Sequence, residues 1–137
     1  MDRQSSKDLI RRFIKQVFVQ GRVESINELV GPNFVSHTWW FEEDGREKLR
    51  AATERVHETL SGVEFTVDDI VAEGDRVTVR LTASATPTGD FMGVPAAGKR
   101  YTIGEMHWFR IADGQIVEHW HQQDALGLMK QLGAMPG

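Results

Sequence analysis

The stretch "HWFRIADGQIVEHWHQQD", residues 107–124, contains two runs of alternating polar and apolar residues on either side of Asp113-Gly114. Alternation with a period of two predicts β-strands, because successive side chains of a strand point to opposite faces. An Asp-Gly pair between two such runs favours a two-residue type I′ turn. The stretch therefore predicts an antiparallel hairpin.

Counting outward from this turn predicts the register of the hairpin and one shared face. The predicted pairs are Ile111 with Ile116, Phe109 with Glu118, His107 with Trp120, Glu105 with Gln122, and Ile103 with Asp124. The turn end of this face is apolar, and the far end collects two carboxyl groups, an imidazole, an amide and an indole. A half-buried carboxylate beside an imidazole can act as a general base, so this end is a candidate active site.

The opposite face of the predicted hairpin is too apolar to be left fully in water. It holds Met106, Trp108, Val117, His119 and His121. We expect this face to be buried against a second copy of the chain.

Helical patterns precede the strands. Helices are predicted from the Ser5-Ser6 region to Gly21, in "VESINELV" before Gly31-Pro32, and from Asp44 to Gly62, and a short closing helix lies in residues 124–133. Residues 63–86 predict two further strands. Helices first and antiparallel strands afterwards indicate an α+β fold, and 137 residues indicate one domain, residues 1–137.

Composition excludes several classes of function. The formal net charge of −4 gives no reason to expect a nucleic-acid partner, and the absence of cysteine rules out disulfides and thiolate chemistry. No apolar run approaches the roughly 20 residues of a membrane span, and the N-terminus lacks the apolar region of a signal peptide. The expectation is a cytoplasmic protein with neither a membrane nor a nucleic-acid partner.

One phosphate-binding pattern is nearly present and is rejected. "GVPAAGKR", residues 93–100, fits a P-loop except that Arg100 stands where Ser or Thr is required. A P-loop also needs a helix directly after it, and here a strand is predicted. The segment is better interpreted as a long loop between strands, beside a site.

Three segments together carry a resemblance to a known family. "GDFMGVPAAGKRY" (89–101), "HWFRIADGQIVEHW" (107–120) and Trp120-x-x-x-Asp124 resemble the SnoaL-like polyketide cyclases, which share the superfold named after nuclear transport factor 2. The resemblance implies a cone-shaped curved sheet around a pocket, closed by helices. It also implies a homodimer that uses neither a metal nor another cofactor. In that family the Asp of the motif removes a carbon-bound proton for an aldol ring closure, which implies this role for Asp124 with His107 as its partner.

The predicted site residues follow from the hairpin and the resemblance together. The catalytic residues are Asp124 and His107, and the substrate-binding residues are His37, Trp40, Glu105, Trp120 and Gln122. Two structural alternatives stay open: Asp124 could cap the last helix, and His107 could be a hydrogen-bonded core histidine. His119-x-His121 resembles a metal-binding pair, but no third ligand is evident, so no metal is predicted.

The sequence thus predicts a small cofactor-independent enzyme of the polyketide cyclase type, acting on an apolar or aromatic carbonyl compound in the pocket. Two alternatives use the same scaffold, because this fold hosts several functions. One is a non-catalytic binding protein. The other is a cofactor-free hydrolase or isomerase, which two nearby carboxylates would permit.

Overall fold

The computed structural model describes residues 1–37 and 44–134, and their arrangement confirms the α+β class. The helices are α1 (Arg3–Phe13), α2 (Ile26–Leu29), α3 (Gly45–Thr59) and α4 (Ala125–Gln131). The strands are β1 (Val30–His37), β2 (Leu60–Glu73), β3 (Arg76–Pro87), β4 (Tyr101–Ala112) and β5 (Gln115–Gln123). Within the described ranges, no helix is long and apolar enough to cross a membrane.

The five strands form one sheet in the order β1-β5-β4-β3-β2. β1 runs parallel to β5, and the other neighbours are antiparallel. The sequence predicts only a helix end at Gly31-Pro32, whereas the chain continues there as β1. Pro32 is tolerated because β1 is an edge strand, where a missing backbone donor breaks no ladder on the open side.

One face of the sheet is buried and the other is open. In β4, buried residues alternate with exposed or partly exposed ones, as its sequence predicts. Its inward residues pack against β3 and the helices: Tyr101, Ile103, Glu105, His107, Phe109 and Ile111 are all buried. Its outward Met106 and Trp108 stay 62% and 47% exposed. Functional side chains of β4 on the inward face are therefore shielded from bulk water.

Helix α1 does not end as an ordinary α-helix but continues as a π-helical segment, Ile14–Val19. A π-turn carries more than the usual 3.6 residues and shifts the faces of the residues that follow it. Here Val17 is fully buried in the core, and its neighbour Phe18 packs on the same core from a partly buried position. Two successive residues are thereby turned toward the sheet.

Candidate active site

The β4–β5 hairpin has the predicted turn but not the predicted register. Asp113 and Gly114 have φ of 52° and 73°, as a type I′ turn requires, and Ile111 pairs with Ile116. Arg110 then pairs with Glu118, so Val117 is an extra residue that forms a β-bulge.

The bulge turns every later side chain of β5 to the other face, because side-chain direction alternates with each residue. The remaining predicted pairs are wrong: Phe109 faces His119, His107 faces His121, and Glu105 faces Gln123. His119 and His121 therefore point inward, and Trp120 and Gln122 point outward. The bulge thus lies on β5 and not on β4.

A cavity lies between the inward face of the sheet, α3 and the π-helical segment. Its volume is about 100 Å³, several times the roughly 10–15 Å³ that one water molecule needs. The core therefore leaves room for a bound molecule. Its walls are mainly apolar, and its polar lining residues are Thr53, His57, Tyr101, Glu105, His107, His119, His121 and Gln123.

A chain of hydrogen bonds runs from the edge strand to this cavity. Ser36 Oγ lies 3.0 Å from His119 Nδ1, His119 Nε2 lies 2.7 Å from His107 Nδ1, and His107 Nε2 lies 2.8 Å from Glu105 Oε1. Glu105 is 9% exposed and both histidines are 4% exposed. Buried polar groups of this kind are stable only when each is hydrogen-bonded, which this chain achieves.

The charges in this chain follow from its environment. Burial raises the pKa of Glu105, but hydrogen bonds from His107 and His121 outweigh it and lower the pKa to about 2. Burial lowers the pKa of His107, and the bond to Glu105 only partly opposes this. Burial, with His107 next in effect, lowers the pKa of His119 well below its usual value. At neutral pH this hydrogen-bond chain therefore consists of an ionised Glu105 carboxylate and the neutral imidazoles of His107 and His119, with the Ser36 hydroxyl at its end.

These charges fix where the protons lie. An ionised Glu105 can only accept, so His107 carries its proton on Nε2 and has a lone pair on Nδ1. His119 must then donate from Nε2, which leaves a lone pair on its Nδ1 for the Ser36 hydroxyl to donate to. Each of the three short contacts is thus one directed hydrogen bond.

His121 is the second imidazole beside Glu105. Its Nε2 lies 3.4 Å from Glu105 Oε1, and its ring stacks on His107 with centroids 4.2 Å apart. A carboxylate held against one nitrogen of an imidazole orients the ring and stabilises its protonated form. His121 lines the cavity. The pair can therefore accept a proton from a molecule bound there.

The π-helical segment forms one wall of the cavity, beside the histidines. The Phe18 ring contacts His107 with centroids 5.3 Å apart and Phe65 with centroids 5.4 Å apart. The carbonyl of Phe18 accepts a 2.9 Å hydrogen bond from His57 Nε2 on α3. Phe18 is thus held between the sheet and α3, and no local sequence signal indicates the π-turn that places it.

Tyr101 brings a hydroxyl to the same cavity. Burial, and secondly the charge of Glu105, raise its pKa, so the hydroxyl keeps its proton. A protonated phenol can donate a hydrogen bond to a carbonyl oxygen or to an enolate. Tyr101 is not among the sequence-predicted site residues, although its place at the start of an inward-facing strand is a usable signal.

Of the sequence-predicted site residues, Glu105 and His107 lie together in the cavity, and several others lie elsewhere. His37 points to the outer face, where its Nε2 is 2.8 Å from Glu118 Oε2 and its ring stacks on Trp120. Gln122 is exposed, and Gln123 lines the cavity instead. Trp40 lies outside the described residues.

Asp124 is the N-cap residue of α4. Its carboxylate accepts a 2.9 Å hydrogen bond from Gly127 N, and the residue is exposed. It is not among the described residues that line the cavity. This position favours the capping alternative, and a catalytic role for Asp124 stays a prediction.

Three of the described residues converge closely enough to hold a metal ion. The ligand atoms of Glu105, His107 and His121 lie within 4.8 Å of one another. This set arises only in the bulged register, which brings His121 beside the other two. The hydrogen bond from His107 Nε2 and the 3.4 Å contact of His121 Nε2, both to Glu105 Oε1, account for the same convergence.

Comparison with known proteins agrees with this architecture. The family model for SnoaL-like polyketide cyclase matches residues 8–132. The structure of TsrD from Streptomyces laurentii is 34% identical, covers 98% of this chain and 99% of its own, and superposes with a TM-score of 0.89. IdmH from Streptomyces antibioticus is 31% identical over 93% of this chain and 98% of its own, with a TM-score of 0.78.

Among curated proteins, the aklanonic acid methyl ester cyclase DnrD of Streptomyces peucetius is 29% identical over 133 residues. The match spans 92% of this chain and 89% of that protein. The family match covers well over half of the chain, and the structural likenesses confirm the fold that the resemblance implied. The chain therefore belongs to the SnoaL-like polyketide cyclase family.

Proposed function

We propose that this protein is a cofactor-independent cyclase that closes a ring in a small polyketide-type carbonyl compound. The observation that carries the proposal is the buried Glu105 carboxylate set against the His121 imidazole at the wall of a largely apolar cavity. Such a pair provides a base where water is excluded, and an apolar cavity suits a polyketide carbon skeleton.

In this proposal His121 is the general base and Glu105 orients it. With Nε2 directed at Glu105, the ring uses Nδ1 to take a proton from a carbon between two carbonyl groups. The enolate carbon then bonds to a second carbonyl carbon of the same molecule, and the resulting alkoxide takes the proton back from the imidazolium. In this scheme Tyr101, which lines the same cavity, donates a hydrogen bond from its hydroxyl to the enolate oxygen, and no redox partner is consumed.

The test uses aklanonic acid methyl ester, because a relative that acts on it covers most of this chain. The experiment follows its conversion to a ring-closed isomer of equal mass, and its uptake of deuterium from D₂O at the acidic carbon. The proposal expects enzyme-dependent exchange, with or without closure of this particular substrate, and likewise with smaller β-keto esters. Binding without any exchange would support the binding-protein alternative, and oxygen from labelled water in the product would support hydrolysis.

Asp124→Asn separates the two candidate bases. Asn and Asp are equally good N-caps, so this variant should keep the stability of α4, while Asp124→Ala should lose about 1 kcal/mol. We expect Asp124→Asn to keep its turnover within about threefold. A loss of about 100-fold with an unchanged melting temperature would instead make Asp124 the base, as the sequence predicts.

We also propose a homodimer formed through the outer face of the sheet. Trp108 and Met106 are exposed there, and Arg76 stacks over the Trp120 ring at 5.5 Å. An apolar patch of this kind, rimmed by polar residues, is typical of a protein interface. Sedimentation equilibrium at micromolar concentration should give twice the mass of the chain. Trp108→Glu should lower the measured mass toward that of a single chain. A monomeric wild-type protein would contradict this proposal.

A further inference from the structure

The inner hydrogen-bond chain continues beyond the residues that the proposed reaction uses. His119 lines the cavity but is separated from Glu105 by His107, and Ser36, on the edge strand, contacts His119 without being among the described residues that line the cavity. The parallel register that pairs Ser36 with His119 brings the two side chains together.

The order of protons matters because a neutral imidazole has two tautomers. If His119 carried its proton on Nδ1, its Nε2 lone pair would face the His107 Nδ1 lone pair at 2.7 Å, an arrangement with no hydrogen bond. The Ser36 hydroxyl, 3.0 Å from His119 Nδ1, can donate there and so favours the other tautomer. Hydrogen bonds in such a chain polarise and strengthen one another.

We infer that Ser36 and His119 are positioning residues that lock His107 in its Nε2–H tautomer and thereby fix Glu105 against His121. Ser36 sets the tautomer of His119, His119 sets that of His107, and His107 holds one oxygen of the carboxylate. This inference deepens the proposed function and rests on it for its effect on turnover. The tautomers themselves can be tested without any substrate.

The first measurement is ¹⁵N NMR of protein labelled in its histidine rings, which distinguishes a protonated ring nitrogen from one with a lone pair. The expected result is a protonated Nε2 and an unprotonated Nδ1 in both His107 and His119. In Ser36→Ala the His119 signals should move toward a mixture of tautomers, and in Ser36→Thr, which keeps the hydroxyl, they should not. An Nδ1-protonated His107 in the wild-type protein would overturn the inference.

The second measurement is kcat and KM of paired variants with the substrate or exchange assay above. His119→Leu removes the donor to His107 and should lower kcat by about 10–100-fold, because a misplacement of about 1 Å can cost about 10²-fold. His119→Gln keeps an N–H donor and should recover most of that loss. Ser36→Ala should lower kcat by a smaller factor, about threefold to tenfold, with KM unchanged within about twofold.

Ser84→Ala is the matched control. It removes a serine hydroxyl that makes a 2.8 Å side-chain hydrogen bond to Thr102 Oγ1. This contact is exposed and does not belong to the buried hydrogen-bond chain. We expect it to leave kcat unchanged. Equal losses in His119→Gln and His119→Leu would reduce His119 to a packing residue and overturn the inference. The expected tautomers in a protein without exchange activity would instead count against the proposed function alone.

Discussion

Glu105→Gln is expected to lower the turnover of ring closure or of proton exchange by about 10²–10⁴-fold. The amide has nearly the same size, and its oxygen can still accept from His107 Nε2, so the fold should survive. It carries no charge to stabilise a protonated His121.

Glu118→Gln is the control for this prediction. Glu118 belongs to the same hairpin and also contacts an imidazole, since it lies 2.8 Å from His37 Nε2 and 2.9 Å from Arg110 Nε. Its contacts are on the outer face, so its loss should change turnover by less than about twofold. Full turnover in Glu105→Gln would remove the Glu105–His121 pair from the mechanism.

The turn and the first strand of the decisive hairpin could be predicted from sequence, because Asp-Gly and strict alternation are local signals. The bulge at Val117 could not be predicted from alternation, because Val is an ordinary strand residue. A cross-strand signal was available, however. The bulged register pairs Arg110 with Glu118, whereas the unbulged register would place Arg110 opposite Val117. Opposite charges on facing residues thus favour the register that brings the histidines inward.

The alternation of side-chain direction along a strand also decides which residue of β1 points to the interior. The sequence predicts only a helix end at Gly31-Pro32, and His37, not Ser36, is the predicted site residue. As a strand paired with β5, the segment turns Ser36 inward, toward His119, and His37 outward, toward Trp120. A parallel edge strand depends on long-range pairing, for which eight residues that include Gly31 and Pro32 give no local indication.

The buried hydrogen-bond chain of Glu105, His107 and His119 also predicts a marked loss of stability in acid. His107 and His119 have pKa values lowered by burial, so below pH about 6.5 the unfolded chain binds protons that the folded chain does not. The stability that depends on these groups is complete above that pH and falls as pH decreases. The slope is at most about 1.4 kcal/mol per pH unit for each group.

Glu105 adds a second loss at lower pH. Its folded pKa of about 2 lies below the ordinary 4.5, so its contribution is present above pH 4.5 and is lost as the pH falls toward 2. That difference corresponds to about 3 kcal/mol. Together these groups amount to a sizeable part of the roughly 5–15 kcal/mol by which a domain is stable. We therefore expect the protein to unfold or lose its packing well above pH 3.

Urea unfolding at pH 7.5, 6.5, 5.5 and 4.5 measures this dependence. The free energy of unfolding of the wild-type protein should fall steadily below pH 6.5. His119→Gln removes one of the two buried imidazoles and should reduce the slope by up to about 1.4 kcal/mol per pH unit. Glu118→Gln should leave the slope between pH 7.5 and 5.5 unchanged, because the hydrogen bonds from His37 and Arg110 lower the pKa of Glu118 and it titrates in a more acidic range. A wild-type stability that stays constant from pH 7.5 to 4.5 would mean that the histidines are not buried as neutral groups, and the directed hydrogen-bond chain would fail with it.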